Sequence, residues 1–309
     1  MQPMSVFVGT CGWSYPSGRG RWNGIFYPAR RPRGFDELAY YAERFDTVEI
    51  NSTFYRQPDP TAVRGWLART PASFLFSAKL FQKFTHPDLF LARHRVADWD
   101  VTRGDLDVFR AGLDPLASSG RLAALLLQFP PSFQAGEETR AYLDWLAGAL
   151  AGYPLAVELR HRSWSDDAGA TIALLSQHRA AWAWIDEPKF DSSIRQPSIA
   201  DTGAPIAYLR LHGRNAAQWW RHDEAEDRYD YLYSAEELAP IAEAAKGESV
   251  RGKRAFAYLN NHFSAKAPAN AALLRHQLGD LLPADYPLEM TARYPDLKGI
   301  VRTAGLPLE

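Results

Sequence analysis

Eight stretches of six or seven residues have a β-type pattern, most of them mainly apolar and with polar residues at or near their ends. They are SVFVGTC (from Ser5), DTVEINS (from Asp46), SFLFSAK (from Ser73) and LAALLLQ (from Leu122), followed by LAVELR (from Leu155), AAWAWID (from Ala180), IAYLRLH (from Ile206) and RAFAYLN (from Arg254). Near-continuous apolar runs of this length suit strands that are covered on both faces. They recur on average about every 36 residues, which leaves room for a helix in each interval. The intervals carry helix signals. Phe35 to Phe45 has apolar residues at helical spacing and acidic residues in its first turn. Glu137 to Leu150 and Ser165 to His178 read the same way, the latter with Ser165 as predicted N-cap. Ser234-Ala-Glu-Glu237 matches a capping box. Three connections, 81–120, 187–204 and 213–233, are long and predicted to be irregular functional loops. The pattern predicts a (β/α)8 TIM barrel forming a single domain over residues 1–309.

A barrel of this kind gathers its chemistry at the C-terminal ends of the strands. Polar residues stand there: Glu49 and Asn51, Lys79, Gln128, Glu158 and Arg160, Asp186, Arg210 and His212, and Asn260 and Asn261. Side chains alternate faces along a strand, so Glu158 and Arg160 share one face, as do Tyr208, Arg210 and His212. A carboxylate and a guanidinium inside an apolar strand are costly to desolvate unless they are paired or used. The stretch LAVELRHRSW (Leu155 to Trp164) is therefore either a structural ion pair or part of a site.

Composition narrows the classes. With 35 Lys plus Arg against 36 Asp plus Glu, the net charge of −1 exerts no global pull on nucleic acid or acidic membranes. A single cysteine, Cys11, excludes an internal disulfide and any multi-cysteine metal site. No apolar run reaches membrane-span length, and MQPMSVFVG lacks the layout of a signal peptide. A cytoplasmic protein is the expectation.

Motifs carry a family resemblance along most of the chain. GTCGWSY (Gly9 to Tyr15), FYP (Phe26 to Pro28), FDTVEINSTFY (Phe45 to Tyr55), KLFQKFTHP (Lys79 to Pro87), LLLQFPPSF (Leu125 to Phe133), AVELRHRSW (Ala156 to Trp164), YLRLHGR (Tyr208 to Arg214) and LNNHFSAKAPANA (Leu259 to Ala271) occur in order. In these the chain resembles the YecE-like family, domain of unknown function 72. Departures are small: some relatives have Phe where Leu159 and Leu259 stand, and acidic residues where His262 stands. The resemblance implies a TIM barrel and carries no established reaction.

Glu49, Glu158 and Asp186 are the carboxylates placed for general acid/base work. Lys79, Arg160, Arg210 and His212 form a predicted cradle for a phosphate or carboxylate. Trp13, Asn51, Tyr55, His86, Gln128, Trp164, Asn260 and Asn261 complete the expected ligand-binding set. The competing view is that Arg160 and Arg210 only neutralise the carboxylates. No organic cofactor is implied, because no glycine-rich phosphate loop is present. A divalent metal on Glu158, Asp186 and His212 is the weaker alternative. Cys11 reads as a small buried residue rather than a nucleophile.

The leading expectation is an enzyme (hydrolase, lyase or isomerase) acting on a polar, carbohydrate-like or phosphorylated ligand. Two rivals come from other classes. One is a nucleic-acid-binding protein or metal-dependent phosphodiesterase. It would use Arg19, Arg21, Arg30, Arg31 and Arg33 interleaved with Trp22, Phe26 and Tyr27, and the loop aromatics Trp219, Trp220, Tyr229, Tyr231 and Tyr233. The other is a non-catalytic small-molecule binder.

Overall fold

A computed structural model describes residues 6–97, 99–224 and 226–303. Its strands are β1 (Val6–Cys11), β2 (Thr47–Ile50), β3 (Leu75–Lys79), β4 (Leu122–Gln128), β5 (Leu155–Glu158), β6 (Ala181–Trp182), β7 (Trp184–Asp186), β8 (Ile206–Leu211) and β9 (Arg254–Leu259). They form one sheet in the order β6-β5-β4-β3-β2-β1-β9-β8-β7. The β1–β9, β3–β4, β4–β5 and β5–β6 pairings are parallel. The two ends of that order, β6 and β7, are consecutive pieces of the AAWAWID segment, so the nine strands make an almost closed barrel. All eight apolar runs of the sequence are strands. The sixth is broken at Ala183, where the sequence predicts continuity. Its amide donates to Val157 (2.9 Å), but its carbonyl is taken by the Gln196 side chain (2.9 Å). A side-chain donor there has replaced the ladder bond. A further pair, β10 (Asp285–Tyr286) and β11 (Arg302–Thr303), lies outside the barrel sheet.

Helices fill the intervals: α1 (Glu37–Ala42), α2 (Ser52–Tyr55), α3 (Pro60–Ala68), α4 (Pro87–His94), α5 (Arg103–Ser118), α6 (Glu137–Ala149), α7 (Ser163–Asp166), α8 (Ala168–Gln177), α9 (Ala235–Val250), α10 (Lys266–Leu278) and α11 (Leu288–Arg293). The capping box at Ser234 and Glu237 forms as predicted and opens α9. The segment predicted as one helix from Ser165 is two. Asp167, accepting from Ala170 N, caps α8, while Ser165 Oγ turns back to the Arg162 carbonyl and accepts from Arg195 N. An Asp two residues further on offers the stronger acceptor for the first-turn amides. The connection 81–120 is not irregular: it contains α4 and α5, the latter opened by a capping box on Thr102 and Asp105. Among the described residues no helix is long and apolar enough to cross a membrane.

The described residues form two compact units, one of 6–48, 185–188 and 209–303, the other of 49–184 and 189–208. The division falls inside β2, β7 and β8.

Candidate functional site

In the unit of 49–184 and 189–208, three strand ends carry charge. Glu49, at the end of β2, is fully buried and accepts a hydrogen bond from Tyr208 Oη (2.7 Å). Lys79 ends β3; its Nζ lies 4.3 Å from the Phe54 ring centroid, and its carbonyl accepts from Thr53 Oγ1 (2.7 Å). Glu158 ends β5 in register with Gln128 at the end of β4. It is fully buried and accepts from Arg160 Nε at 2.6 Å.

His86, at the N-cap of α4, meets these groups. Its Nδ1 lies 2.9 Å from Thr85 Oγ1, and its ring stands edge-on to Phe54 (centroids 4.9 Å apart). Burial pushes its pKa down from the ordinary 6.5 to about 3, reinforced by the Lys79 and Arg160 cations and opposed by the Glu158 carboxylate. His86 is therefore a neutral imidazole at neutral pH. Two of the three charges acting on it are positive. This unit thus brings together Lys79, His86, Glu158 and Arg160, with Gln128 beside Glu158.

Three other predicted members of this unit, Asn51, Tyr55 and Trp164, have contacts of their own. The Asn51 carbonyl accepts from Phe54 N (3.1 Å) at the start of α2. Tyr55 is exposed and carries the Arg93 guanidinium 5.3 Å from its ring centroid. Trp164 is buried, stacked on Phe133 (5.5 Å) and donating Nε1–H to the Phe133 carbonyl (2.8 Å). It packs as a core pillar rather than an open platform.

In the unit of 6–48, 185–188 and 209–303, Asp186 is nearly buried at the end of β7. Arg214 grips it through Nε (2.9 Å to Oδ1) and Nη2 (2.8 Å to Oδ2), and Tyr233 Oη donates to Oδ1 at 2.8 Å. Arg214 also reaches Glu237 (3.0 Å). The Asp186 hydrogen bonds raise the Arg214 pKa, whereas burial and then Asp186 raise that of Tyr233. Arg210 is buried, with its guanidinium 3.6 Å from Cys11 Sγ. Cys11 is itself buried. His212 Nδ1 accepts from Asn260 Nδ2 (2.9 Å). Asn261 Nδ2 donates to the Tyr231 carbonyl and to Asn270 Oδ1, both at 2.8 Å. The Trp13 carbonyl accepts from Tyr27 Oη.

Arg214, Tyr233 and Asn270 are the polar residues that strand-end reasoning missed. Arg214 stands two residues past His212 in YLRLHGR, beyond Gly213 with its left-handed φ of 88°. That turn carries it back to the strand end, and only the glycine hinted at it.

Among the described residues no group of three or more His, Cys, Asp and Glu side chains is placed to hold a metal ion. The aromatics proposed to stack nucleic-acid bases are largely core: Trp22, Phe26 and Tyr27 are fully buried, and Trp219 and Tyr233 nearly so. Stacking needs an open ring face. Arg31 lies over the Tyr27 and Phe35 rings, and Arg19 pairs with Asp227 (3.1 Å).

Alternating strands and helices around an almost closed barrel, with charge gathered at strand ends, define a TIM-barrel-like α/β protein. Residues 7–290 match the family described as protein of unknown function DUF72, and the chain belongs to that family. It is similar to the UPF0759 protein YunF of Bacillus subtilis (27% identity over 91% of this chain and 96% of that one). It is also similar to the UPF0759 protein YecE of Escherichia coli K12 (30% identity over 50% of this chain and 48% of that one). Among solved structures, a DUF72 family protein of Thermotoga maritima superposes with a TM-score of 0.74 at 34% identity, covering 89% of this chain and 99% of that one.

Proposed function

We propose that this protein is a cytoplasmic enzyme acting on a polar small molecule that carries a phosphate or carboxylate, a phosphorylated sugar being the simplest case. The observation that carries the reading is His86, held neutral beside Lys79, Arg160 and Glu158. Lys79 and Arg160 supply the positive field for an oxyanion, and the planar guanidinium suits bidentate recognition. Glu158 is the acid/base candidate, and a neutral imidazole donates or accepts a hydrogen bond without adding charge. Such a set serves hydrolysis, elimination or isomerisation of a hydroxylated anion. The close Glu158–Arg160 pair also supports a second reading, a binder in which the carboxylate only orders the arginine.

Titration with glucose 6-phosphate and inorganic phosphate, followed by the His86 ring resonances, tests the site. An anion bound there favours the imidazolium, so the His86 pKa rises from about 3. Lys79→Ala and Arg160→Ala are each expected to weaken binding about tenfold or more, as loss of a charge-assisted hydrogen bond requires. Unchanged affinity in both variants rejects the site. Glu158→Gln then separates the readings: an enzyme loses turnover of the bound ester, whereas a binder shows no turnover before or after the change.

A further inference from the structure

The turn that follows β9 holds a histidine that the site above does not use. His262 lies between two tyrosines, stacked on Tyr15 (centroids 4.5 Å apart, 15° between planes) and tilted against Tyr229 (5.0 Å, 42°). These three residues come from the connections that follow β1, β8 and β9, all within one compact unit. Tyr15 is fixed by its own hydroxyl, which donates to the Cys11 carbonyl, and by its contact with Trp22, whose Nε1 donates to the His262 carbonyl (2.7 Å).

Two and three residues further on, Ser264 and Ala265 have φ of 53° and 62°, a left-handed conformation that non-glycine residues seldom adopt. Strain of this kind persists where surrounding structure over-determines it, and it clusters at functional sites. Here the surroundings include Ser264 Oγ donating to the Arg19 carbonyl (3.2 Å) and Tyr294 Oη donating to the Ser264 carbonyl.

The ring's protonation follows from its neighbours. Nδ1 lies 3.2 Å from the Asn260 carbonyl oxygen, which only accepts, so Nδ1 carries the proton. Burial holds the His262 pKa down at about 4, so the ring is neutral and Nε2 bears a lone pair. No described residue donates to Nε2, and the ring is only part-buried. Among the described residues the charge acting on the ring is the Glu226 carboxylate, which disfavours an anion there.

We propose that His262, its ring fixed between those of Tyr15 and Tyr229, presents Nε2 as a hydrogen-bond acceptor for a hydroxyl of a neutral polyol or sugar. The role is binding and not proton abstraction, because an imidazole this hard to protonate is a weak base. The site is separate from the Lys79–Arg160 set in both residues and ligand charge, so either can fail without the other.

The test follows His262 itself. Long-range 1H–15N correlation spectra are expected to show Nε2 as the unprotonated nitrogen. Added methyl glucoside or glycerol should move that resonance saturably, and inorganic phosphate should not. His262→Asn keeps a donor for the Asn260 carbonyl and removes Nε2. It should retain the melting temperature while weakening the methyl glucoside response at Tyr15 about tenfold. Protonated Nε2, no saturable shift with either polyol, or equal affinity in His262→Asn would overturn the proposal. Should the asparagine variant not fold, the wild-type nitrogen shift alone decides.

Discussion

Glu158 and Asp186 look alike in sequence, each a lone carboxylate closing an apolar strand, yet they have different surroundings. Glu158 is fully buried against Arg160, itself only 13% exposed. Removing one partner of such a pair strands the other charge. Glu158→Gln is therefore expected to cost about 3 kcal/mol, read as a lower urea midpoint with unchanged slope. It should also lower the His86 pKa further, because the carboxylate is the one charge that raises it. Asp186 has a partner that reaches solvent, with the Arg214 side chain 38% exposed. Asp186→Ala is expected to cost less, about 2 kcal/mol. Its sharper signature is faster amide exchange over 213–233, the stretch Arg214 and Tyr233 tie to the strand end. Protection there equal to wild type would show that the clamp does not order the loop.

At the level of elements, the α4 N-cap and the turn after β9 each hold a neutral, part-buried histidine, and both penalise acid. His86 titrates at about 3 and His262 at about 4 in the folded chain, against 6.5 for the ordinary side chain. Between those values the unfolded chain binds more protons, so stability rises with pH. The contribution is full above about pH 6.5 and is lost progressively as pH falls toward 3 to 4. Urea midpoints across this window should fall steeply for wild type and less steeply for His86→Gln; parallel curves refute the assignment. The pairing of β1 with its neighbour has its own weak point. A Cβ on Gly9 would sit 2.1 Å from the Thr47 carbonyl oxygen, so backbone has to move. Gly9→Ala should cost about 3 kcal/mol, at the upper end for overpacking, visible as a depressed melting temperature.

Strand positions were legible because apolar runs of strand length with helix-sized gaps admit few arrangements, and β4 matches its run from Leu122 to Gln128 end to end. The break at Ala183 was not, since it depends on Gln196, which is distant in sequence. The same holds for partners. Glu158 and Arg160 are two residues apart and their pairing follows from strand alternation, whereas Asp186 and Arg214 are 28 residues apart and joined by a turn. The helix predicted from Ser165 failed more locally, because Asp167 is a competing cap within one turn.

For the whole molecule, the division between compact units runs through three strands, β2, β7 and β8. A strand cannot melt by halves without losing its ladder bonds, so the chain is expected to unfold as one domain. Calorimetry should give a single transition with equal calorimetric and van't Hoff enthalpies. Two resolved transitions would contradict it.

The interrupted segment at Ala183 has one more consequence. Residues 181–182 bond to β5 and the chain resumes at 184–186 in contact with β8, so neither end of the sheet order is a strand left over. A row of unsatisfied amides and carbonyls is what recruits foreign strands into aggregates and swapped dimers. A sheet that begins and ends in the same seven residues offers almost no such row, and Gln196 caps the gap where one would open. Replacing Gln196 by Ala frees the Ala183 carbonyl. It is the change most expected to let one chain add strands to another, read as concentration-dependent association beyond that of the wild type.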